Sequence, residues 1–201
     1  MMMSYLLGSI PTAYLIGKSR GVDVFDIGSG NMGATNISRA IGLRWGVLVM
    51  LLDIFKGVVA ITLSRVIMSH NPAAATVLSA LAVILGHNWS LFATILTGTL
   101  RGGKGAATAF GTLMMIAPFQ VIVAMAMLGG VIVARTRYVS LAVLAAFTLG
   151  LAWLVVLALQ EMIYMEVIYY SVILAALLAI RFKGNIQRLL AGTERRLGER
   201  A

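Results

Sequence analysis

Apolar residues run along this chain in long blocks separated by short polar connections. Five blocks can be read, at residues 1–17, 45–68, 73–96, 105–134 and 138–180. Roughly 20 predominantly apolar residues cross the hydrocarbon of a bilayer, so the blocks are of membrane length or longer. Pro11 bends the first, Asp53 and Lys56 interrupt the second, and the third carries His87 and Trp89. Pro118 removes a helix hydrogen bond and clashes with the preceding turn. The fourth block therefore divides into a half-length helix over 105–116 and a second over 118–134. The polar pair Gln160 and Glu161 divides the fifth. The pattern predicts an all-α polytopic membrane protein of seven transmembrane helices in a single domain over residues 1–201. The fourth helix is too short to cross alone, and others are bent or broken.

Composition strengthens this reading. The chain is 60% hydrophobic and 11% charged, with a mean hydropathy of +0.96. A soluble domain so composed would expose large apolar patches. The absence of cysteine excludes disulfide and thiolate chemistry. With His70 and His87 as the two histidines, a histidine-built metal site is not expected. Residues 1–17 lack a basic leader and a small-residue cleavage pattern, which favours a retained helix over a signal peptide.

The net charge of +9 invites a nucleic-acid reading, but basic residues in membrane proteins gather in cytoplasmic loops. An N-terminus outside and a C-terminus in the cytoplasm put all 16 basic residues except Lys56 and Arg65 on the inner side. That orientation is the expectation, and no nucleic acid is. The basic tail at 181–201 has Ile186, Leu189, Leu190 and Leu197 at helix-like spacing, which predicts a cytoplasmic interfacial helix.

Four polar constellations then fall on one side of the membrane. The first is GSGNMGATNISR at 28–39. Gly28, Gly30 and Gly33 allow close backbone approach, so successive amides can form an anion-binding nest. Ser29, Asn31, Thr35 and Asn36 add donors, and Arg39 offers a planar fork suited to phosphate. A glycine-rich turn capped by its own side chains is the alternative. The second is RGGKG at 101–105, at the start of the half-length helix, where free amides and the helix dipole attract anions beside Lys104. A basic interfacial loop is its alternative. The stretch GTLRGGKG at 98–105 nearly matches a P-loop, yet Gly105 replaces the magnesium-binding hydroxyl and no strand precedes it, so a nucleotide site is not supported. The third and fourth are RYVS at 137–140, and NIQR at 185–188 with GTE at 192–194. Asp53 and Lys56 lie one turn apart inside an apolar block, where each charge costs about 2.5–3.5 kcal/mol on insertion scales, so partners are expected. His87 reads as a satisfied core histidine. Neither histidine is followed five positions on by aspartate, so an HxxxxD acyltransferase device is absent.

In this order the motifs resemble the bacterial acyl-phosphate:glycerol-3-phosphate acyltransferases, the PlsY family. The resemblance runs from GSIPTAYLIGK at 8–18 through GSGNMGATN with Arg39, DIFKG at 53–57, Gly86 and His87, GGKG with Ala107 and Thr108, RYVS, and NIQRLLAGTE at 185–194. It implies seven helices in the bacterial inner membrane, an active site facing the cytoplasm, and transfer of an acyl chain from acyl phosphate to the 1-hydroxyl of glycerol 3-phosphate. Lysophosphatidate and phosphate are the implied products. By resemblance Ser29, Arg39, Lys104, Ser140 and Asn185 hold phosphates, with Arg188 beside them. Gly102, Gly103, Gly33, Asn31, Thr35 and Asn36 shape the pocket. Asp53, Lys56, His87 and Glu194 support it. Acyl phosphate, glycerol 3-phosphate and membrane lipids are the implied partners, with no cofactor, no metal and a monomeric state. Two residues depart from the family's usual pattern: Phe25 stands where an arginine commonly precedes GSGN, and Phe182 stands where a histidine is usual. The segment before GGKG, 94–99, is longer than usual. A transporter or binding protein for a phosphorylated solute is the alternative that uses the same half-helix anion site.

Overall fold

The computed structural model describes residues 1–199, which form ten α-helices and no strand. Five helical segments among them are long and apolar enough to cross a membrane: Leu43–Ile67, Pro72–Thr97, Phe119–Thr136, Val139–Leu159 and Glu166–Leu190. The other two expected crossings are of a different kind. The first apolar block is a broken pair, α1 (Met2–Ser9) and α2 (Thr12–Lys18), parted at Ile10 and Pro11. The half-length helix is α7 (Ala106–Ile116), 11 residues long, ended by Ala117 and Pro118 as the proline requires.

Two compact units result, Met1–Thr112 and Leu113–Leu197, with the boundary inside α7. The first contains α1, α2, α3 (Ala34–Ile41), α4 (Leu43–Ile67), α5 (Pro72–Asn88) and α6 (Leu91–Thr97). Its helices pack through small residues, as lipid-embedded helices do when close contact and polar links must replace the hydrophobic effect. A Cβ on Gly8 would strike the Val83 carbonyl, and one on Gly86 would strike the Tyr5 carbonyl, so α1 and α5 touch backbone to backbone. Hydroxyls stitch the same seams. Ser4 Oγ lies 3.1 Å from Ser79 Oγ, Ser79 donates to the Ala60 carbonyl at 2.8 Å, and Ser64 donates to the Ala75 carbonyl at 3.1 Å.

The third apolar block is two helices, not one. Ser90 starts α6 by accepting from the Ala93 amide at 3.0 Å, while its own hydroxyl donates to the Ser9 carbonyl. The break turns the chain after Asn88, where the site is built.

The second unit holds α8 (Phe119–Thr136), α9 (Val139–Leu159) and α10 (Glu166–Leu190), with α9 packed against both α8 and α10. A groove of about 320 Å³ between α9 and α10 is lined by Leu144, Phe147, Leu151, Ala175 and Leu178. Residues 181–190 of the expected interfacial tail are helical. That segment is the end of α10, because Phe182 and Asn185 are buried and hold it in the helix. Leu197 lies beyond the helix, and Arg200 and Ala201 of the expected tail lie outside the described residues.

Candidate active site

The first constellation is half loop and half helix. Residues 28–33 are irregular, with Gly28 and Gly30 at positive φ (56° and 61°). Gly33 then caps α3, which carries Thr35, Asn36 and Arg39. Two anchors hold the loop. Met32 is fully buried in a core with Ala13, Val24, Ile37, Val49 and Ala93. Asn36 accepts from the Ser29 amide at 3.1 Å and donates to the carbonyls of Val24 and Ile27 at 3.0 and 3.1 Å. Both of its amide hydrogens are thus spent on the loop, so Asn36 is an internal clamp where a ligand donor was expected. Ser29 is exposed, and Asn31, Thr35 and Arg39 are half-buried.

The second constellation is caged by glycine. The Ser90 amide donates to the Arg101 carbonyl and the Gly103 amide to the His87 carbonyl, both at 2.9 Å. This pairing draws 101–103 against the end of α5. A Cβ on Gly102 would strike the Asn88 carbonyl, and one on Gly103 would strike His87 Nε2 and approach the Met32 carbonyl to 2.7 Å. Gly105 turns the chain into α7 with φ of 75°, and a Cβ there would lie 2.5 Å from Asn88 Oδ1. Three glycines thus pack directly on the end of α5, and half-buried Lys104 is held among them immediately before α7. The Met32 contact also joins the two constellations within the first unit.

Beneath the loop lies a buried polar network. Lys56 Nζ is 2.8 Å from Asp53 Oδ1 and 2.8 Å from His87 Nδ1, and it donates to the Ile10 carbonyl at 3.3 Å. Thr12 donates to Asp53 Oδ1 at 2.7 Å. The expected partners of the intramembrane charges are therefore each other, plus His87 and a buried threonine at the Pro11 break. Sequence reasoning missed Thr12 and Met32. The signal for Thr12 was a hydroxyl placed directly after a helix-breaking proline.

In the second unit Glu194 is the hub. It accepts from Ser140 Oγ at 2.9 Å, Asn185 Nδ2 at 2.6 Å and Arg188 Nε at 2.8 Å. Residues distant in sequence are thus gathered on one carboxylate. Burial pushes the Glu194 carboxyl up, but the hydrogen bonds from Asn185, Ser140 and Arg188 outweigh it and hold the group below its ordinary value of 4.5. A depressed carboxylate stabilises the fold above the unfolded pKa, and that contribution is lost as pH falls through the lower folded value. Thermal unfolding of the wild type should therefore lose stability on acidification below about pH 4.5, and Glu194→Gln should flatten that part of the profile.

Two departures from the usual motif have visible partners. Phe25 stacks on Tyr14 (centroids 5.6 Å apart) and lies under the Arg101 guanidinium at 5.0 Å. Phe182 is buried in α10. Among the described residues, no group of three or more His, Cys, Asp or Glu is placed to hold a metal ion.

Such a basic loop before a helix N-terminus, braced by buried charges, is of the kind that attracts anions, and the helices around it are those of a membrane protein. The profile of the family described as glycerol-3-phosphate acyltransferase matches residues 1–192. A glycerol-3-phosphate acyltransferase of Halalkalibacterium halodurans is 40% identical over 198 residues, covering 98% of this chain and 93% of the relative. One from Thermoanaerobacter pseudethanolicus is 36% identical over 199 residues, covering 98% and 94%. The crystal structure of PlsY, an integral membrane glycerol 3-phosphate acyltransferase, in its glycerol 3-phosphate form superposes with a TM-score of 0.85 at 35% identity, covering 98% of this chain and 93% of that one. The lysophosphatidic acid form gives 0.82. The chain belongs to the glycerol-3-phosphate acyltransferase family and is an integral membrane acyltransferase of the PlsY kind.

Proposed function

We propose that the protein uses acyl phosphate as donor and acylates the 1-hydroxyl of glycerol 3-phosphate, releasing lysophosphatidate and phosphate. The reaction takes place at the cytoplasmic face of the bacterial inner membrane. The protein works as a monomer of seven membrane helices, N-terminus outside and C-terminus inside, without metal or cofactor. The observation that carries this reading is the tight packing of Gly102, Gly103 and Gly105 against the end of α5, which sets Lys104 immediately before the N-terminus of α7.

Each residue has a role that its chemistry suits. Lys104 with the Gly102 amide takes the donor phosphate and the oxygen that gains charge at the acyl carbon, while the Gly103 amide, bound to the His87 carbonyl, fixes the loop. Ser29, Asn31, Gly33, Thr35 and Arg39 take the acceptor's phosphate, with Asn36 holding their loop in shape. In the second unit Asn185 and Arg188 serve as phosphate ligands ordered by Glu194, whose carboxylate takes the Ser140 hydroxyl hydrogen. The fatty chain lies in an apolar groove such as that between α9 and α10.

Acyl phosphate is a mixed anhydride whose leaving group is stable, so positioning supplies most of the acceleration. The acceptor oxygen attacks the acyl carbonyl carbon, the bond from that carbon to the phosphate oxygen breaks, and the electron pair leaves with phosphate. The departing phosphate takes the hydroxyl proton, and no side chain acts as an obligatory base or nucleophile. Incubating the purified protein with acyl phosphate alone and weighing it intact tests direct transfer. An unmodified mass is expected. An acyl adduct on Ser29 or Ser140 that glycerol 3-phosphate then discharges would overturn it.

A further inference from the structure

The buried charges of the first unit do more than neutralise one another. An ammonium carries three hydrogens and accepts none, and Lys56 has three acceptors around it: Asp53 Oδ1, the Ile10 carbonyl and His87 Nδ1. His87 Nδ1 also stands 3.7 Å from Asp53 Oδ1, and an ammonium at Lys56, paired with Asp53, leaves Nδ1 the acceptor's part and puts the imidazole proton on Nε2. That edge of the ring lies against Gly103, whose amide is also bound by the His87 carbonyl at 2.9 Å. One histidine therefore grips the residue before Lys104 by both its ring and its backbone.

We propose that Asp53, Lys56 and His87 form a positioning relay. The ion pair fixes the Nε2–H tautomer of His87, and His87 in turn sets the Gly103 and Lys104 backbone at the register that receives the donor phosphate. These three are positioning residues, since each acts on substrate through the loop. The proposal rests on the reading of Gly102 and Lys104 as the donor-phosphate site. A buried ion pair kept for packing alone is the competing account, and the two differ in what happens when both charges are removed together. Exchanging a whole buried pair for apolar residues of similar volume is often neutral or stabilising.

The test uses the purified full-length protein in detergent. The double variant Asp53→Leu/Lys56→Met should fold with a near wild-type Tm and keep its KM for glycerol 3-phosphate. Its kcat should fall ~10- to 100-fold, as expected when a reacting group is misplaced by about 1 Å. His87→Gln, whose amide N–H can stand near the Nε2 position, should retain more activity than His87→Asn, whose shorter side chain cannot reach it. This second pair decides the matter should the double variant not fold. Nitrogen-15 spectra of the histidines, assigned with His70→Gln, should show His87 neutral with its proton on Nε2 in the wild type and a mixture of tautomers in the double variant. Full kcat in a folded double variant, equal activity in the two His87 variants, or a proton on Nδ1 in the wild type would overturn the relay. The spectra need no turnover, so an enzyme inactive with acyl phosphate but showing the Nε2–H tautomer would count against the donor assignment and leave the relay's geometry standing.

Discussion

Gly103→Ala should abolish most acyl transfer while leaving the protein in the membrane and folded. The new methyl group would occupy the space of His87 Nε2 and press on the Met32 carbonyl. Both neighbours are fixed: the ring by Lys56 and the carbonyl by the buried Met32 side chain. The loop must move instead, carrying the Gly102 amide and Lys104 away from the α7 terminus. Losing one preorganised donor at a developing oxyanion costs roughly 10²–10³ in kcat, so a fall of at least ~100-fold is expected. Initial rates with acyl phosphate and glycerol 3-phosphate check it. Gly130→Ala on α8, where nothing lies within 4 Å of the added carbon, should be indistinguishable from wild type.

The largest effect on stability is expected from Lys56→Met. The lysine and Asp53 are 5% and 1% exposed, and the pair lies inside the apolar helix α4. Removing the cation leaves a carboxylate supported by Thr12, with His87 Nδ1 at 3.7 Å, in a medium that solvates it poorly. Breaking one side of a buried pair typically costs about 3–5 kcal/mol, a large share of the ~5–15 kcal/mol that keeps a domain folded. A marked drop in Tm and in yield of monodisperse protein is expected. Restoration of Tm by adding Asp53→Leu to the same chain would show that the loss comes from the orphaned charge rather than from missing methylenes.

The sequence and the structure agree where a single physical rule dominates. Pro118 ends α7 where a missing amide hydrogen and a steric clash leave little choice, and the start of α7 follows GGKG as expected. The partners of Asp53 were foreseeable because an isolated charge in hydrocarbon is untenable. Elsewhere the deciding interaction is long-range, and no local pattern carries it. The α5–α6 break depends on Ser90 meeting Ser9, 81 residues away. Hydropathy alone reads straight through it. Asn36 looked like a ligand donor because its motif is rich in donors, yet it turns inward to the Val24 and Ile27 carbonyls. The charges of the tail give no sign that its first ten residues continue α10, where buried Phe182 and Asn185 hold them in the helix. Glu194 was placed among supporting residues by resemblance, and its reach to Ser140, 54 positions away, is visible only in three dimensions.

The most direct test of the whole account is one assay with the purified protein, acyl phosphate and labelled glycerol 3-phosphate in detergent or reconstituted vesicles. Lysophosphatidate and inorganic phosphate should appear in equal amounts, with no added coenzyme A, carrier protein or divalent metal. Uptake of labelled glycerol 3-phosphate into vesicles without acylation, or acylation that requires a thioester donor, would contradict it.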